Sequence, residues 1–232
     1  MLFTKRKAVL ILVPAVLIVF GLVAGISFYT SVEFDHERLA ADVSAGRGMV
    51  FTDRAGRELR FLPDLKGERA RWVPLVEIPD GVRNAFIAAE DERFFDHHGF
   101  DPIAVLRAFR SNIVERRIVS GASTISQQVV RLIYNDRGMN NGNGETAERR
   151  RSKRTYREKL IEIVRSVKME RSLSKEEILE QYLNRVPMGN NLVGVGTAAR
   201  AYFGVPVKNL SAAEAAILAS LPKAPGMLNP YG

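Results

Sequence analysis

The chain has 232 residues, enough for one sizeable domain with attachments, and its 34 Lys+Arg against 26 Asp+Glu give a net charge of +8. It contains no cysteine, which excludes a disulfide framework and thiolate chemistry, and its three histidines, His36, His97 and His98, lack metal-ligand spacing. Setting aside Lys5, Arg6 and Lys7 leaves 31 basic against 26 acidic residues, a surplus that suits anionic lipids, lipid diphosphates or cell-wall polymers as partners.

Residues 8–30 form an uncharged run of 23 residues, roughly 35 Å long as a helix, against a bilayer hydrocarbon core of about 30 Å. Lys5, Arg6 and Lys7 precede it and Glu33, Asp35 and Glu37 follow. The positive-inside tendency therefore puts residues 1–7 in the cytoplasm and the rest of the chain outside. The run is long for a cleaved signal, so a retained single-pass anchor is favoured, and this topology disfavours nucleic acid as a partner.

Residues 31–48 are a linker, with Asp35 to Arg47 reading as a short polar helix or connection that ends near Gly46 and Gly48. Met49-Val50-Phe51-Thr52 and Glu58-Leu59-Arg60-Phe61-Leu62, joined by Asp53-Arg54-Ala55-Gly56, read as a β-hairpin. Pro63 to Pro79 has only weak periodicity and is expected to be extended, with Trp72-Val73-Pro74-Leu75 as its apolar anchor.

Pro79-Asp80 is a helix-start signal, and Val82, Phe86 and Glu90 follow at four-residue spacing. Glu90 thus falls on the apolar stripe. A carboxylate partly desolvated there should have its pKa raised, which suits proton transfer near neutral pH. Asp91 and Glu92 turn toward other faces. Gly99 breaks the chain, and Asp101-Pro102 starts a helix whose stripe of Ile103, Leu106, Phe109 and Ile113 is expected to support the core.

Gly121-Ala122-Ser123-Thr124-Ile125-Ser126-Gln127-Gln128 opens a further helix. Its apolar set is Ile125, Val129, Leu132 and Ile133, and Thr124, Gln128 and Arg131 share the other face. Free N–H groups, hydroxyls and a nearby Arg suit a phosphate or sugar hydroxyl, although a capped helix of ordinary function has the same pattern. Asn135 to Arg151 reads as a mobile loop. A long helix to about Arg171 then buries Leu160, Ile163, Val164 and Val167, while Arg154, Glu158 and Glu162 recur every four residues in the manner of a solvated, ion-paired face. Ser174 with Glu177 and Ser211 with Glu214 are capping boxes, and Gly204 fits a helix C-cap. Residues 49–232 are thus one mainly α-helical domain.

Together these stretches resemble peptidoglycan glycosyltransferase family 51, found in class A penicillin-binding proteins and monofunctional transglycosylases. The resemblance runs from about Asp53 to Pro230. It rests on Glu90-Asp91-x-x-Phe94-x-x-His97-x-Gly99, Gly121-x-Ser123-Thr124-Ile125-x-Gln127-Gln128, Lys159-x-x-Glu162, Ile178-Leu179-Glu180-x-Tyr182-Leu183-Asn184 and Ala198-Ala199-x-x-Tyr202-Phe203-Gly204. Arg131-Leu132 and the Ser-Gly-Ala-Ser-Thr start look most like the C-type class A proteins.

The resemblance implies a lysozyme-like, two-lobed helical fold whose smaller lobe is membrane-associated. It also implies polymerisation of lipid II into β-1,4 glycan with inversion and release of undecaprenyl diphosphate, at the bacterial cytoplasmic membrane. Glu90 would be the general base, and Glu162 would position or polarise the reacting groups. Ser123, Thr124, Gln127 and Gln128 would hold sugar or phosphate oxygens, and Arg131, Arg154 and Lys159 the leaving diphosphate. Asp91, Phe94, His97 and Gly99 would shape the site, and Glu180, Tyr182 and Asn184 would mainly support the fold. Partners would be lipid II, the growing glycan, membrane lipids and other cell-wall synthesis proteins. No cofactor is obligatory, with Mg2+ or Mn2+ bridging the substrate diphosphate as the one metal admitted.

Glu158 stands where relatives usually have Arg, the loop before Arg154 is long, and the chain stops where relatives continue into further helices. No transpeptidase domain with a Ser-x-x-Lys nucleophile is expected in these 232 residues. A truncated bifunctional protein and a short monofunctional enzyme both remain open. The competing readings are a lytic transglycosylase or muramidase, and an inactive membrane-anchored scaffold that binds lipid II.

Overall fold

The computed structural model describes residues 19–44, 49–63, 67, 69–114, 123–135 and 155–223. Two units separate, Met1–Phe34 and Asp35–Gly232. In the first, residues 19–31 are helical (α1), with Val19, Phe20, Leu22, Val23 and Ile26 exposed. Residues 8–18 of the expected span lie outside the described residues, and no described helix is long and apolar enough to cross a membrane.

The second unit is mainly helical, as expected. Its elements are α2 (His36–Ser44), β1 (Met49–Thr52), β2 (Glu58–Leu62), β3 (Arg69–Ala70), α3 (Asp80–Glu90), α4 (Pro102–Val114) and α5 (Ile125–Asn135), followed by α6 (Tyr156–Glu170), α7 (Lys175–Arg185), β4 (Leu192–Val193), α8 (Val195–Phe203) and α9 (Ala212–Ser220). The loop expected over 135–151 lies, from residue 136, outside the described residues, as does Arg154.

Local chemistry explains most element ends. β1 and β2 pair antiparallel, and the Asp53 carboxylate fixes their turn by accepting the N–H groups of Ala55 and Arg57 at 2.9 and 2.8 Å. Ser174 and Ser211 close capping boxes with Glu177 and Glu214, and Gly204 ends α8 in the left-handed region. The stretch from Arg71 to Leu75 is extended and is held on α7 by two side chains. Asn184 mimics a strand partner, accepting from Val73 N at 2.7 Å and donating to Val73 O at 2.8 Å. Glu180 takes Trp72 Nε1 at 3.0 Å and Leu75 N at 2.7 Å. β3 then pairs in parallel with β4.

The core is assembled where α3 meets α9 and where α5 meets α6 and α7. Val82 and Phe86 of α3, Ile125 and Val129 of α5, Met169 of α6 and Ile178 of α7 are sealed in it, each contributing about 1.5–3 kcal/mol by leaving water. α2 docks on the same body through Tyr134 Oη, which accepts from Asp35 N, and through Arg185, whose guanidinium donates to Leu39 O at 2.8 Å.

Two expected apolar stripes are placed differently. On α4, Ile103 and Leu106 are 51% and 68% exposed, and Ala108 is the buried residue among those described; the side chains of Phe109 and Ile113 lie outside the described residues. This helix has apolar residues all the way round its first turns, so spacing alone could not choose the inner face. On α6, Leu160 is 53% exposed, while Glu162, Ser166 and Met169 are buried. The row read as solvated is therefore partly the inner face.

Gly99 fixes how the chain after α3 meets α6. Its φ is +83°, and a Cβ there would lie 2.7 Å from the backbone C of Ser166 and N of Val167. Its carbonyl accepts from Thr124 Oγ1 at 2.9 Å, Gln127 Nε2 at 3.1 Å and Ser166 Oγ at 2.9 Å. Two residues on, the buried Asp101 caps α4, accepting from Ile103 N at 2.8 Å and Ala104 N at 3.1 Å, with Arg93 Nε 3.4 Å away. Burial alone would raise this carboxyl, but the N–H groups of Ala104 and Ile103 and the charges of Arg93 and His97 hold it below its usual range.

Gly99→Ala should lower stability by more than about 3 kcal/mol, since it adds both a backbone clash and a strained φ; a denaturant titration measures this. Asp101→Ala should cost about 1–2 kcal/mol at neutral pH. Because the folded carboxyl is depressed, its contribution is present above the unfolded value near 4 and is lost as pH falls through the folded value. The gap in Tm between parent and variant should therefore narrow in acid.

Candidate active site

Glu90 is the last residue of α3, four residues beyond the buried Phe86. It is half-buried. Oε2 accepts from Gln128 Nε2 at 2.8 Å, and Oε1 is sealed from solvent. Lys223 Nζ donates to the carbonyl of the preceding residue, Ala89, so a cation sits at the end of the same helix. Tyr182 of α7 packs its ring edge-on to Phe86, with centroids 6.3 Å apart. Burial pushes the Tyr182 phenol well above its usual range, the charge of Glu90 pushes it the same way, and Arg131 pulls it back.

Asp91 lies just past the helix and turns inward, whereas Glu92 is exposed. Its Oδ2 accepts the N–H of Ile125, the first of α5, at 2.9 Å, and both oxygens lie 3.0–3.2 Å from His97 Nε2. An ionised carboxylate only accepts, so Nε2 carries the hydrogen in this pair. Nδ1 faces Glu170, 4.0 Å away. Glu170 is held in turn by Lys175, at 2.7 and 2.9 Å, and by Ser126 Oγ. Phe94 is fully buried beneath this group, edge-on to His97, with the Lys175 ammonium 4.4 Å from its ring centroid.

A second cluster forms around Lys159 on the first turns of α6. Its ammonium donates to Ser123 Oγ at 2.9 Å and Gln127 Oε1 at 2.7 Å, and lies 3.7 Å from Glu162 Oε2, one turn on. Gln127 thus joins Lys159 to the Gly99 carbonyl, and its neighbour Gln128 reaches Glu90. The start of α5 is the bridge between a carboxylate and a cation. Such a pair can take a proton at one end of a substrate and receive developing negative charge at the other.

Among the residues singled out from sequence, Glu90, Asp91, Phe94, His97, Gly99, Ser123, Thr124, Gln127, Gln128, Lys159 and Glu162 are joined in this one network. Arg131 lies half-buried on α5, one turn past Gln128, and is coupled to the network through its charge on Tyr182. Arg154 lies outside the described residues. Sequence reading passed over Ser126, Ser166, Glu170 and Lys175. A signal was present, because Glu162, Ser166 and Glu170 continue the four-residue row past the point where it was read.

Glu158, where the resemblance leads one to expect Arg, has a structural role here. It closes a capping box with Thr155: Thr155 N donates to Glu158 Oε2 at 2.9 Å, and Glu158 N to Thr155 Oγ1 at 3.2 Å. The two Ser-x-x-Lys strings that the chain does contain, Ser172 to Lys175 and Ser220 to Lys223, are not nucleophile–base pairs. Lys175 is committed to Glu170, Ser172 Oγ bonds the carbonyl of Met169, and Ser220 Oγ donates to Ile217 O.

A family model described as Transglycosylase matches residues 56–232. Penicillin-binding protein 1A of Vibrio cholerae is 36% identical over 233 residues, covering 99% of this chain and 26% of the relative. The protein of the same name from Aquifex aeolicus is 41% identical over 160 residues, 69% of this chain and 20% of its own length. That of Neisseria gonorrhoeae is 40% identical over 163 residues, 70% and 18% respectively. The chain spans about a quarter or less of the length of these relatives. With the family model covering most of its length, and the motif residues drawn into one network, the chain belongs to the transglycosylase family of glycosyltransferases, family 51.

Proposed function

We propose that the chain is a peptidoglycan glycosyltransferase that polymerises lipid II. Glu90 takes the proton of the 4-hydroxyl of an incoming lipid II, and that oxygen attacks C1 of the terminal MurNAc of the growing chain. The bond from C1 to the diphosphate oxygen breaks, undecaprenyl diphosphate leaves, and inversion at C1 gives a β-1,4 link. An alcohol is a poor nucleophile until a base takes its proton, and a leaving diphosphate needs its charge met. The observation that carries the reading is the network running from Glu90 through Gln128 and Gln127 to the Lys159 ammonium.

Arg131 and Arg154 would join Lys159 at the diphosphate, while Ser123, Thr124, Gln127 and Gln128 hold substrate oxygens and Glu162 orients the Lys159 ammonium. No cofactor is obligatory in this scheme; a Mg2+ or Mn2+ ion would come with the substrate and offset the diphosphate charge, since the described residues hold no group of three or more His, Cys, Asp or Glu side chains that could bind it. A lytic enzyme of similar fold would need no cation at this place. An idle scaffold is disfavoured because Glu158 serves as a helix cap and leaves Lys159 among its partners.

The fold in this reading is lysozyme-like and two-lobed. Residues 8–30 would cross the bacterial cytoplasmic membrane with residues 1–7 inside, the domain working on the outer face beside membrane lipids and other cell-wall synthesis proteins. The outward side of α4 supports a lipid contact. Ile103, Val105 and Leu106 are exposed together there, with Arg107 and Arg110 exposed on the same helix.

The purified chain should convert labelled lipid II into long glycan in detergent, and Glu90→Gln should reduce the rate by at least about a thousandfold. Binding without polymer by the parent would instead favour the scaffold, and release of muropeptides from sacculi the lytic reading. Since the chain has no cysteine, Leu106→Cys can carry a single environment-sensitive fluorophore. In proteoliposomes its emission should shift to the blue and be quenched by spin-labelled lipid; a water-like spectrum would remove α4 from the membrane contact.

A further inference from the structure

Gln127 is fully buried, and both ends of its amide are used inside the fold: Nε2 donates to Gly99 O at 3.1 Å, and Oε1 accepts from Lys159 Nζ at 2.7 Å. The first bond does not explain why the residue is there. A carbonyl oxygen has two lone pairs, and Thr124 Oγ1 and Ser166 Oγ already bring two donors to Gly99 O, each at 2.9 Å. The second bond is charge-assisted and short, and it competes for the ammonium with the Glu162 carboxylate, 3.7 Å away. A neutral amide holds an ammonium without cancelling its charge, whereas a closed contact with a carboxylate would cancel it. The Lys159 side chain is 37% exposed, so of the two bonded groups the lysine is the one that a ligand can meet.

We propose that Gln127 is a positioning residue for Lys159, its amide being a strut that stands on Gly99 O, keeps the ammonium off Glu162 and presents it to the substrate diphosphate. This deepens the reading of Lys159 as the cation at the diphosphate and rests on it. Gln127 then acts on substrate through Lys159 instead of holding substrate oxygens itself. The two contacts select each other. A carbonyl only accepts and an ammonium only donates, so Nε2 toward Gly99 and Oε1 toward Lys159 is the one orientation that satisfies both ends. Because Gly99 is also where the chain presses on the backbone of α6, the strut ties the cation to the same point that places its own helix.

The test uses the full chain in detergent, with lysine labelled at Nζ with 15N. An ammonium held by fixed acceptors exchanges its protons slowly enough to give a cross-peak, and that of Lys159 is identified by its absence from Lys159→Met. Gln127→Met roughly conserves volume and leaves Gly99 O two donors, so it should fold with Tm lowered by less than about 5 °C. It should nevertheless lose the Lys159 cross-peak and weaken lipid II binding about tenfold. Introduced into Lys159→Met, the same substitution should change that affinity less than about twofold, since the group it acts through is gone. Ser166→Ala, which takes another donor from the same carbonyl, should lower Tm and keep both the cross-peak and the affinity. Losses that multiply in the double variant would mean that Gln127 touches substrate on its own account and would overturn the proposal. So would a parent without the cross-peak, a cross-peak that survives Gln127→Met, or one that disappears in Ser166→Ala. If Gln127→Met does not fold, Gln127→Glu takes its place: it keeps an acceptor for the ammonium but cancels the charge, so the cross-peak should remain while affinity falls about tenfold. A lost cross-peak or parental affinity in that variant would overturn the strut. A parent that binds no lipid II, or binds it and makes no polymer, would overturn the polymerase reading, and the cross-peaks alone would then decide the assignment of Gln127.

Discussion

The site depends on one close approach. At Gly99 the chain leaving α3 passes so near the backbone of α6 that no side chain fits between them, and the carbonyl it presents there takes three side-chain donors. Those donors come from the segment before α5, from α5 itself and from α6. A single acceptor thus sets the relative height of the two helices that carry Gln128 and Lys159, and it lies nine residues beyond Glu90. Carbonyl oxygen has two lone pairs, so three donors crowd it, and small shifts of any one element are felt by the other two. Precision at the reacting groups is bought here by over-determination of the backbone rather than by side-chain bulk.

Around that point the interior is unusually polar for a small core. Asp91, His97, Glu162, Ser166 and Ser126 are all buried, and the Glu170 side chain is 2% exposed. Burying unpaired charge is very costly, so the tolerance comes from pairing: Asp91 with His97 and a backbone N–H, Glu170 with Lys175 and Ser126, Glu162 with Lys159. Removing one partner from such a chain leaves the other charged and dry, which makes the cluster brittle toward mutation even where no member touches substrate.

Much of this was legible in sequence where the rule is local. The hairpin limits, the start of α3 at Asp80, the capping boxes at Ser174 and Ser211 and the left-handed cap at Gly204 each follow from a few adjacent residues. The motif residues were also named in advance, through the family resemblance, whereas spacing alone read the row through Glu162 as a solvated face. The orientation of α4 and α6 was not legible. A helix with apolar residues on several sides has no preferred inner face until its neighbours exist, and the burial of Glu162 depends on Ser123 and Gln127 arriving from elsewhere to meet Lys159 of its own helix. The Glu170 group escaped for a related reason. Its members come from the α3–α4 connection, α5, α6 and α7, and no single window of sequence contains them.

The capping box at the start of α6 has a consequence for how this domain can vary. Thr155 and Glu158 satisfy each other's backbone N–H groups, so the helix begins at Tyr156 on its own chemistry, independent of the residues ahead of it. Insertions or deletions upstream of Thr155 then change mainly the entropy of closing the connection, about 0.6 kcal/mol for each doubling of its length. The register of Lys159, Glu162, Ser166 and Glu170 is insulated from them. Evolution can therefore lengthen or rewrite that connection, and recruit it to new contacts, without moving Lys159 from its place beside Ser123 and Gln127.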